Sequence, residues 1–486
     1  MFKCLIFNIS ADGGFRPLGA HRIANHLRDN NWDTEVIDFA GMWTVEELKL
    51  LALSRIDKNT KFIGFSHLWS TWSESLEEFC IWVKQNYPYI VIISGSADRP
   101  LFVTNQIDYY ISGYGENAII ELLSWLFSNG KRPRFEIKKC NGGLLIQAIQ
   151  NYPAFPLKSS MVKYEDRDFI QSDEWLSVEF SRGCKFKCAF CNFPVLGVKE
   201  DYSRNSEDFL IQMQDAYDRF GVKNYTVTDD TFNDSTEKIK KFADAVESLS
   251  FVPFFTGFIR VDLLVARPQD RIELARMNFL GHFYGVESFN HQAAKAIGKG
   301  MHPDKIKQGL IDIKSYFENN GRKQYRGTIA LIVGLPGETE QSLNDTKDWL
   351  DGNWQGQNFS SGPLFIPSGE NVTQSLIGND YAKYGYRPMT KKIQGTDEIN
   401  IHDSYGHQLI WENENLDYYR AIDICKEFEN IKKNNFNTDN FALGALGLPS
   451  SVSERLKLKD YEPLNDYYTS RRKTLIACYI KKKLNL

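Results

Sequence analysis

Strand-length apolar runs, each followed by a helical pattern, recur along most of this 486-residue chain. In residues 1–134 the runs are KCLIFNIS, TEVIDF, FIGFSH, YIVIISG and DYYISG, and helical patterns cover 20–30, 45–54, 75–85 and 117–126. Runs that stay apolar throughout belong to strands covered on both faces, and their alternation with helices predicts a parallel, doubly wound sheet. A ligand of such a sheet sits beyond the carboxyl ends of the strands. The pattern resumes from 173 to 367 with WLSVEFS, NYTVTD, VPFFTGF, LGHFYGVE, GTIALIVG and NFSSGPLFIP, separated by helical patterns at 206–220, 235–249, 268–277, 303–319 and 340–350. Six β/α units are too few for an eight-fold barrel, so a partial (β/α)6 barrel is expected, with functional groups at the carboxyl ends of its strands. Residues 135–172, with Pro153 and Pro156, read as a linker holding a small hairpin or two. Residues 368–486 read as a small, mostly helical region, with helices at 416–429 and 470–482, that caps the barrel and contributes to substrate choice. The fold class is therefore α/β: an N-terminal doubly wound sheet, a partial barrel and a C-terminal cap.

Composition removes several alternatives. Hydrophobic residues are 42% and charged residues 25%, which excludes disorder as the main state. The net charge of −4 gives no whole-chain attraction for nucleic acid or anionic membranes. No apolar run approaches the roughly 20 residues needed to span a bilayer. The stretch MFKCLIFNISADGG lacks the charge and apolar length of a secretory signal and reads as a first strand, so a cytoplasmic, membrane-free protein is expected. Of eight cysteines, five are scattered, and a disulfide framework is not expected in so large a core. The other three, Cys184, Cys188 and Cys191, fall within eight positions in SRGCKFKCAFC, directly after the strand WLSVEFS.

The spacing C-x3-C-x2-C sets three thiolates in one tight loop. Three such donors hold three metal positions of a cubane iron–sulfur cluster and leave the fourth open, the mark of a catalytic rather than a structural site. Gly183 lets the chain turn, and Lys185 and Lys187 lower the cost of a thiolate-rich centre. A structural zinc site is the alternative. It needs a fourth ligand, and the nearest choices, His282, Cys140 and Cys425, stand in no paired motif. A nucleic-acid-binding module built on such a zinc is disfavoured by the absence of a basic balance and of an aromatic–basic recognition motif.

Further motifs follow in order: VTDDTF (227–232), FIRVDLL (258–264), YGVES (284–288), GKG (298–300) and IVGLPGET (332–339). Together with the cysteine loop, they make residues 173–367 resemble the radical S-adenosylmethionine superfamily. The resemblance implies a 4Fe–4S cluster on Cys184, Cys188 and Cys191. Its open iron would chelate the amino and carboxylate groups of S-adenosylmethionine, and one-electron reduction would release a 5′-deoxyadenosyl radical. Phe190 would pack by the adenine. Asp229 and Asp230 stand where an acceptor for the methionine ammonium is expected, and Arg260 would pair with the carboxylate. Glu287 and Ser288 would accept ribose hydroxyls, and Gly334 and Gly337 would shape a tight turn near the cofactor. Strand-end acids also cap helices, so each of these positions has a purely structural reading as well. A one-electron donor such as a flavodoxin or ferredoxin is implied as partner.

Residues 1–134 resemble the cobalamin-binding domain that precedes the barrel in one branch of this superfamily. The matching segments are FRPLGAHRIANHL, ISGSADRP (93–100) and ISGYGENAIIELL (111–123). The cobalt-ligating D-x-H-x-x-G motif is missing; His21 and His67 stand outside that context. The segment from Gly113 to Ala118 also fits the G-x-G-x-x-A dinucleotide fingerprint, but at the end of the domain instead of its first βα turn. The implied activity is cobalamin-dependent methyl transfer to an unactivated carbon or phosphorus of a small-molecule or peptide substrate. A cobalamin-independent radical rearrangement or oxidation, with a non-binding front domain, is the alternative. Methylthiolation would want further clustered cysteines, and Cys4, Cys80 and Cys140 are dispersed. Tyr405, His407 and Trp411 form a polar–aromatic group that would line a cleft or pack as core.

Overall fold

The structure, a computed structural model, describes residues 1–10, 16–68, 73–96, 104–140, 142–148, 155–192, 202–321, 325–368, 375–392, 398–400, 408–431 and 461–485. The chain divides into two compact units. Met1–Val178, Glu207–Val222 and Tyr467–Leu486 form the first; Glu179–Ser206 and Lys223–Asp466 form the second.

The first unit is built on strands β1 (Phe2–Ser10), β2 (Trp32–Ile37), β3 (Thr60–Leu68), β4 (Val91–Ser96), β5 (Tyr109–Gly113), β6 (Glu136–Cys140) and β7 (Gly143–Ala148). They form one sheet in the order β2-β1-β3-β4-β5-β7-β6, parallel except for the β6–β7 hairpin. Helices α1 (Leu18–Asp29), α2 (Val45–Arg55), α3 (Glu74–Asn86) and α4 (Glu116–Phe127) cover both faces. Alternation along β1 makes this legible. Leu5, Phe7 and Ile9 join Leu48, Leu51, Phe79 and Val83 in one core, whereas Cys4 and Ile6 join Ala20, Ala24, Ala118 and Leu122 in the other. The strand order reverses between β1 and β3, which makes that edge the topological switch point. The hairpin at 136–148 extends this sheet past the five expected strands. A Cβ on Gly113 would lie 2.5 Å from the Ala148 carbonyl oxygen, so its positive φ of 96° serves strand pairing and not a phosphate.

The helix expected at 470–482 is part of a longer one, Tyr461–Leu484, and Leu475, Ile476, Tyr479 and Ile480 pack into the α2/α3 core. It therefore builds the front unit, which the Asn- and Lys-rich composition around it did not indicate. Beneath it lies a polar network without solvent exposure. Arg16 bonds the Asp38 carboxylate and both oxygens of Glu174, at 2.6 and 3.0 Å. Its guanidinium stands 4.9 Å from the ring centres of both Phe39 and Tyr479. Asn8 donates to Asp38 at 2.8 Å, and the Asp38 N–H donates to the Tyr479 hydroxyl at 2.9 Å. His21 Nε2 lies 3.1 Å from Asp38 Oδ1. Burial alone would raise the Asp38 carboxyl; His21 and Arg16 hold it well below the usual range instead.

The second unit holds five parallel strands of one sheet, in chain order. The short strands β8 (Trp175–Val178, counted with the first unit), β9 (Ser181–Arg182) and β10 (Tyr202–Ser203) come before them, and β9 pairs with β10 antiparallel. The five are β11 (Asn224–Val227), β12 (Phe254–Ile259), β13 (Phe279–Glu287), β14 (Arg326–Val333) and β15 (Asn358–Pro363). The helices Thr236–Val246, Pro303–Asn319 and Glu340–Asn353 stand at their expected places, and the expected helix Ser206–Phe220 counts with the first unit. On one face Phe180, Phe232, Phe242, Phe255 and Phe279 make a continuous aromatic core. Along β13, buried His282, Tyr284 and Val286 alternate with half-buried Phe283 and Gly285. Strand β14 likewise leaves Ala330 and Ile332 half-buried, so small and partly open residues collect toward the carboxyl ends.

Arg16→Met should destabilise the protein by about 3–5 kcal/mol, because it strands Asp38 and Glu174 as buried charges. Urea unfolding of the two proteins checks this; equal midpoints would contradict it.

Candidate active site at the carboxyl edge of the second sheet

Each motif residue stands where a strand of the second sheet stops. Asp229 and Asp230 follow β11, Arg260 follows β12, Glu287 closes β13, and Gly334 follows β14. The three-cysteine loop is fixed against this edge at several points. At its base, the Asp229 carboxylate accepts the Phe180 N–H at 2.7 Å and the Ser181 hydroxyl at 2.6 Å. Lys238 donates to the same hydroxyl at 2.9 Å and pairs with Asp234 at 2.6 Å. Farther along, the Ala189 N–H donates to the Ile297 carbonyl at 3.0 Å, and the Ala189 carbonyl accepts from Ile377 at 2.9 Å.

The thiols meet polar groups of the strand ends. Cys184 Sγ lies 3.3 Å from Thr231 Oγ1, and Arg260 Nη1 lies 3.6 Å from Cys188 Sγ. Cys188 is buried, while Cys184 and Cys191 are half-buried. Lys185 and Lys187 are exposed. Among the described residues, no three His, Cys, Asp or Glu side chains are grouped as a ready metal cage. His282, one of the fourth zinc ligands weighed from the sequence, is buried in β13 with Nδ1 at 2.7 Å from the Tyr284 hydroxyl and Nε2 at 2.8 Å from the Phe279 carbonyl oxygen. Cys140 closes strand β6 of the first unit, so neither stands ready to complete a zinc site.

The acids divide by partnership. Both oxygens of Asp229 accept hydrogen bonds, and burial raises its carboxyl to about 6 against the pull of Lys238 and Ser181. Asp230 is raised to about 7 by burial, then by Asp229 and Glu179, and its Oδ2 has no hydrogen-bond partner among the described residues. An orphaned carboxylate oxygen beside the loop suits an added ammonium group. Arg260 already holds Asp262 through Nε at 3.0 Å and Nη2 at 2.6 Å, so its fork is not free for a ligand carboxylate. Glu287 has a φ of +69°, unusual for a residue with a side chain, at a register shift between β13 and β14. Lys299 ties this bend by bonding Glu287 Oε1 at 3.1 Å and the Gly285 carbonyl. Ser288 donates to Glu338 at 2.5 Å, while Glu338 Oε2 accepts the N–H groups of Gly334 and Leu335 at 2.9 and 3.0 Å. Phe190 is half-buried on the loop.

Sequence reasoning singled out neither Glu338 nor Lys299 nor Asp262, although all three lie inside the motif segments it quoted. Asn233 carried no signal; its amide clamps the Arg260 N–H and carbonyl at 2.8 and 2.9 Å. Trp411 is fully buried, donates to the Leu364 carbonyl and covers Gly334, so it is core and lines no cleft. Tyr405 and His407 lie outside the described residues, as do Phe15 and 97–100 of the front-domain segments. His21 is engaged by Asp38.

Residues 178–350 match the Radical SAM superfamily. An uncharacterized methyltransferase of Pyrococcus horikoshii is 22% identical over 352 residues, covering 68% of this chain and 72% of that protein. A putative methylthiotransferase of Methanocaldococcus jannaschii is 29% identical over 180 residues, 36% of this chain and 38% of that protein. Among solved structures, the radical S-adenosylmethionine methyltransferase TsrM from Kitasatospora setae, with cobalamin and a 4Fe–4S cluster bound, aligns with a TM-score of 0.65 at 11% identity. That alignment covers 98% of this chain and 99% of that one. The cobalamin-dependent S-adenosylmethionine radical enzyme OxsB, with aqua-cobalamin and S-adenosylmethionine bound, aligns at 0.57 and 13% identity over 98% of this chain and 72% of its own. At these identities the likeness is one of fold.

Gly334 has a φ of +94°, and a Cβ there would lie 2.2 Å from the Trp411 ring. Gly334→Ala should therefore cost roughly 2–4 kcal/mol, and more than Gly337→Ala, whose Cβ meets only the flexible Gln292. Denaturant melts of both variants give the comparison. Burial raises the Glu338 carboxyl from 4.5 to about 7. An acid whose folded value lies above its unfolded one favours folding at low pH and loses that contribution as pH rises through the folded value. The melting temperature of the cofactor-free protein should fall from about pH 5 to about pH 8, and Glu338→Gln should flatten that slope. An unchanged slope would contradict the assignment.

Proposed function

From the match of residues 178–350 to the Radical SAM superfamily, we propose that this enzyme transfers a methyl group to an unactivated carbon or phosphorus, with a 4Fe–4S cluster, S-adenosylmethionine and cobalamin. The observation that carries the reading is the three-cysteine loop, pinned by Asp229 and Ile297 to a strand edge that presents an unpartnered Asp230 oxygen. Cys184, Cys188 and Cys191 would hold the cluster; three soft sulfur donors suit iron, and exposed lysines beside them offset the negative charge. When bound, the cluster supplies the electron that splits a carbon–sulfur bond of S-adenosylmethionine, and cobalamin supplies the methyl group.

The chain's own residues bind and orient. Asp230 accepts the methionine ammonium, while Asp229 keeps the loop base in place. Glu287, held at its bend by Lys299, and Ser288, held by Glu338, face the ribose; Phe190 and the turn at Gly334 flank the adenosine. Arg260 is left out of the carboxylate contact, since Asp262 occupies its fork. In the front unit, the carboxyl ends of β4 and β5 carry Ser94, Gly95, Ser96, Ser112 and Gly113, small enough to leave room over the sheet, and the buried Ser94 hydroxyl has no partner among the described residues. This cradle suits the broad face of a corrin. Cobalt would receive no ligand from His21, which is fully buried beside Asp38. On this reading residues 1–134, extended by the hairpin at 136–148, bind cobalamin, 173–367 form the radical SAM domain, and 368–486, apart from the terminal helix, bear on substrate choice. A low-potential flavodoxin or ferredoxin serves as electron donor. No described helix is long and apolar enough to cross a membrane.

Anaerobic reconstitution should load about four iron and four sulfide per chain, and hydroxocobalamin should co-elute. Reduced protein should then convert S-adenosylmethionine to 5′-deoxyadenosine together with S-adenosylhomocysteine. 5′-Deoxyadenosine alone, without bound cobalamin, would replace methyl transfer by a rearrangement or oxidation. Cys188→Ala should abolish the cluster and both products while its far-ultraviolet circular dichroism matches wild type. A Cys188→Ala protein that kept its iron and products would overturn the assignment.

A further inference from the structure

Arg260 is restrained on every side but one. Its backbone N–H and carbonyl are both clamped by the Asn233 amide, at 2.8 and 2.9 Å. Its guanidinium lies 3.7 Å over the Phe186 ring. The Nε and Nη2 groups are bound to Asp262 in a fork-to-fork pair. Only Nη1 is turned another way, and it donates to Cys188 Sγ at 3.6 Å. Both residues are 9% exposed, so the contact is shielded from water. Together these restraints fix one N–H against one sulfur, with the positive charge behind it.

We propose that Arg260 sets the reduction potential of the cluster through its N–H···S bond to Cys188, with Asp262 and Phe186 as the supports that aim it. This rests on the reading of Cys184, Cys188 and Cys191 as cluster ligands. Reduction adds one electron to a centre that three thiolates already make electron-rich. A hydrogen bond to a ligating sulfur, and a cation in a poorly screened site, both stabilise the reduced state and raise the potential. The electron comes from a low-potential one-electron donor, and no bond is made or broken in this step. Asp262 partly offsets the guanidinium charge, but it lies on the far side of the fork, leaving the N–H nearest the sulfur. Arg260 thus acts as a positioning residue for electron entry and not as a ligand for the methionine carboxylate.

The test is an anaerobic dithionite titration followed by low-temperature electron paramagnetic resonance, with iron and sulfide counted in each sample. Wild type, Arg260→Met, Arg260→Lys and Asp262→Asn are compared as full-length reconstituted proteins. Arg260→Met should keep its iron and shift the potential to a more negative value. Arg260→Lys should recover part of the shift, and Asp262→Asn, in which the loss of aim and the loss of an opposing negative charge act against each other, should shift the potential less than Arg260→Met. A loaded Arg260→Met protein with the wild-type potential would overturn the proposal, as would a variant whose only change is weaker S-adenosylmethionine binding. Should Arg260→Met lose its cluster, the Lys and Asn variants decide: wild-type potentials in both would overturn the proposal, and the graded shifts would support it. An iron-free wild type would instead remove the cluster reading beneath it.

Discussion

The Asp229 carboxylate, buried under the cysteine loop, is the interaction on which the second unit's chemistry depends. A carboxylate in that position costs solvation, and its carboxyl is raised accordingly. It persists because the Phe180 N–H and the Ser181 hydroxyl converge on it and Lys238 stands behind. The result is a loop pinned at its entry, with its sulfur-bearing middle tethered through Ala189 to Ile297 and Ile377. Strand ends supply everything else: an orphaned acid oxygen after β11, a caged arginine after β12, a strained glutamate at the end of β13 and a tight glycine turn after β14. Parallel strands in chain order bring these five segments to one edge. Residues 180 to 338 therefore converge without any long-range pairing in the sequence to announce it.

Much of this was legible in advance. The five expected front-unit strands and the strands of the second sheet stand at the expected runs, because covered strands are mostly rich in Val, Ile, Leu, Tyr and Phe. The cysteine spacing named the loop, and the order of the motifs named the strand ends. What stayed hidden depends on approach in space. Glu338 looked like part of a turn, yet it gathers two N–H groups of that turn and the Ser288 hydroxyl from the end of β13. Arg260 looked like a ligand for a carboxylate, and Asp262, two residues on, takes that fork first. Trp411 read as cleft or core from the sequence, and its burial over Gly334 makes it core. Asn233, a residue type common in loops, gave no hint that it clamps a neighbouring strand.

The front unit shows the same division. Its switch point between β1 and β3 follows from topology alone. The Arg16–Asp38–Glu174 network does not, since its members come from sequence positions far apart and the Tyr479 that covers it lies near the other end of the chain. Such a network is costly to break and neutral to replace by apolar residues as a set, so its value is in fixing one arrangement of β1, α1 and the segment at 166–174. That arrangement holds His21 buried against Asp38. The small residues at the ends of β4 and β5 then become the feature of this unit best suited to a flat, bulky cofactor.

The central claim is that three thiols leave one iron open for S-adenosylmethionine. Electron paramagnetic resonance of the reconstituted, reduced protein with and without S-adenosylmethionine tests it most directly. A reduced 4Fe–4S signal whose g values move when the sulfonium compound is added is the expected result. A signal that stays the same at saturating S-adenosylmethionine, or a protein that takes up no iron, would contradict it.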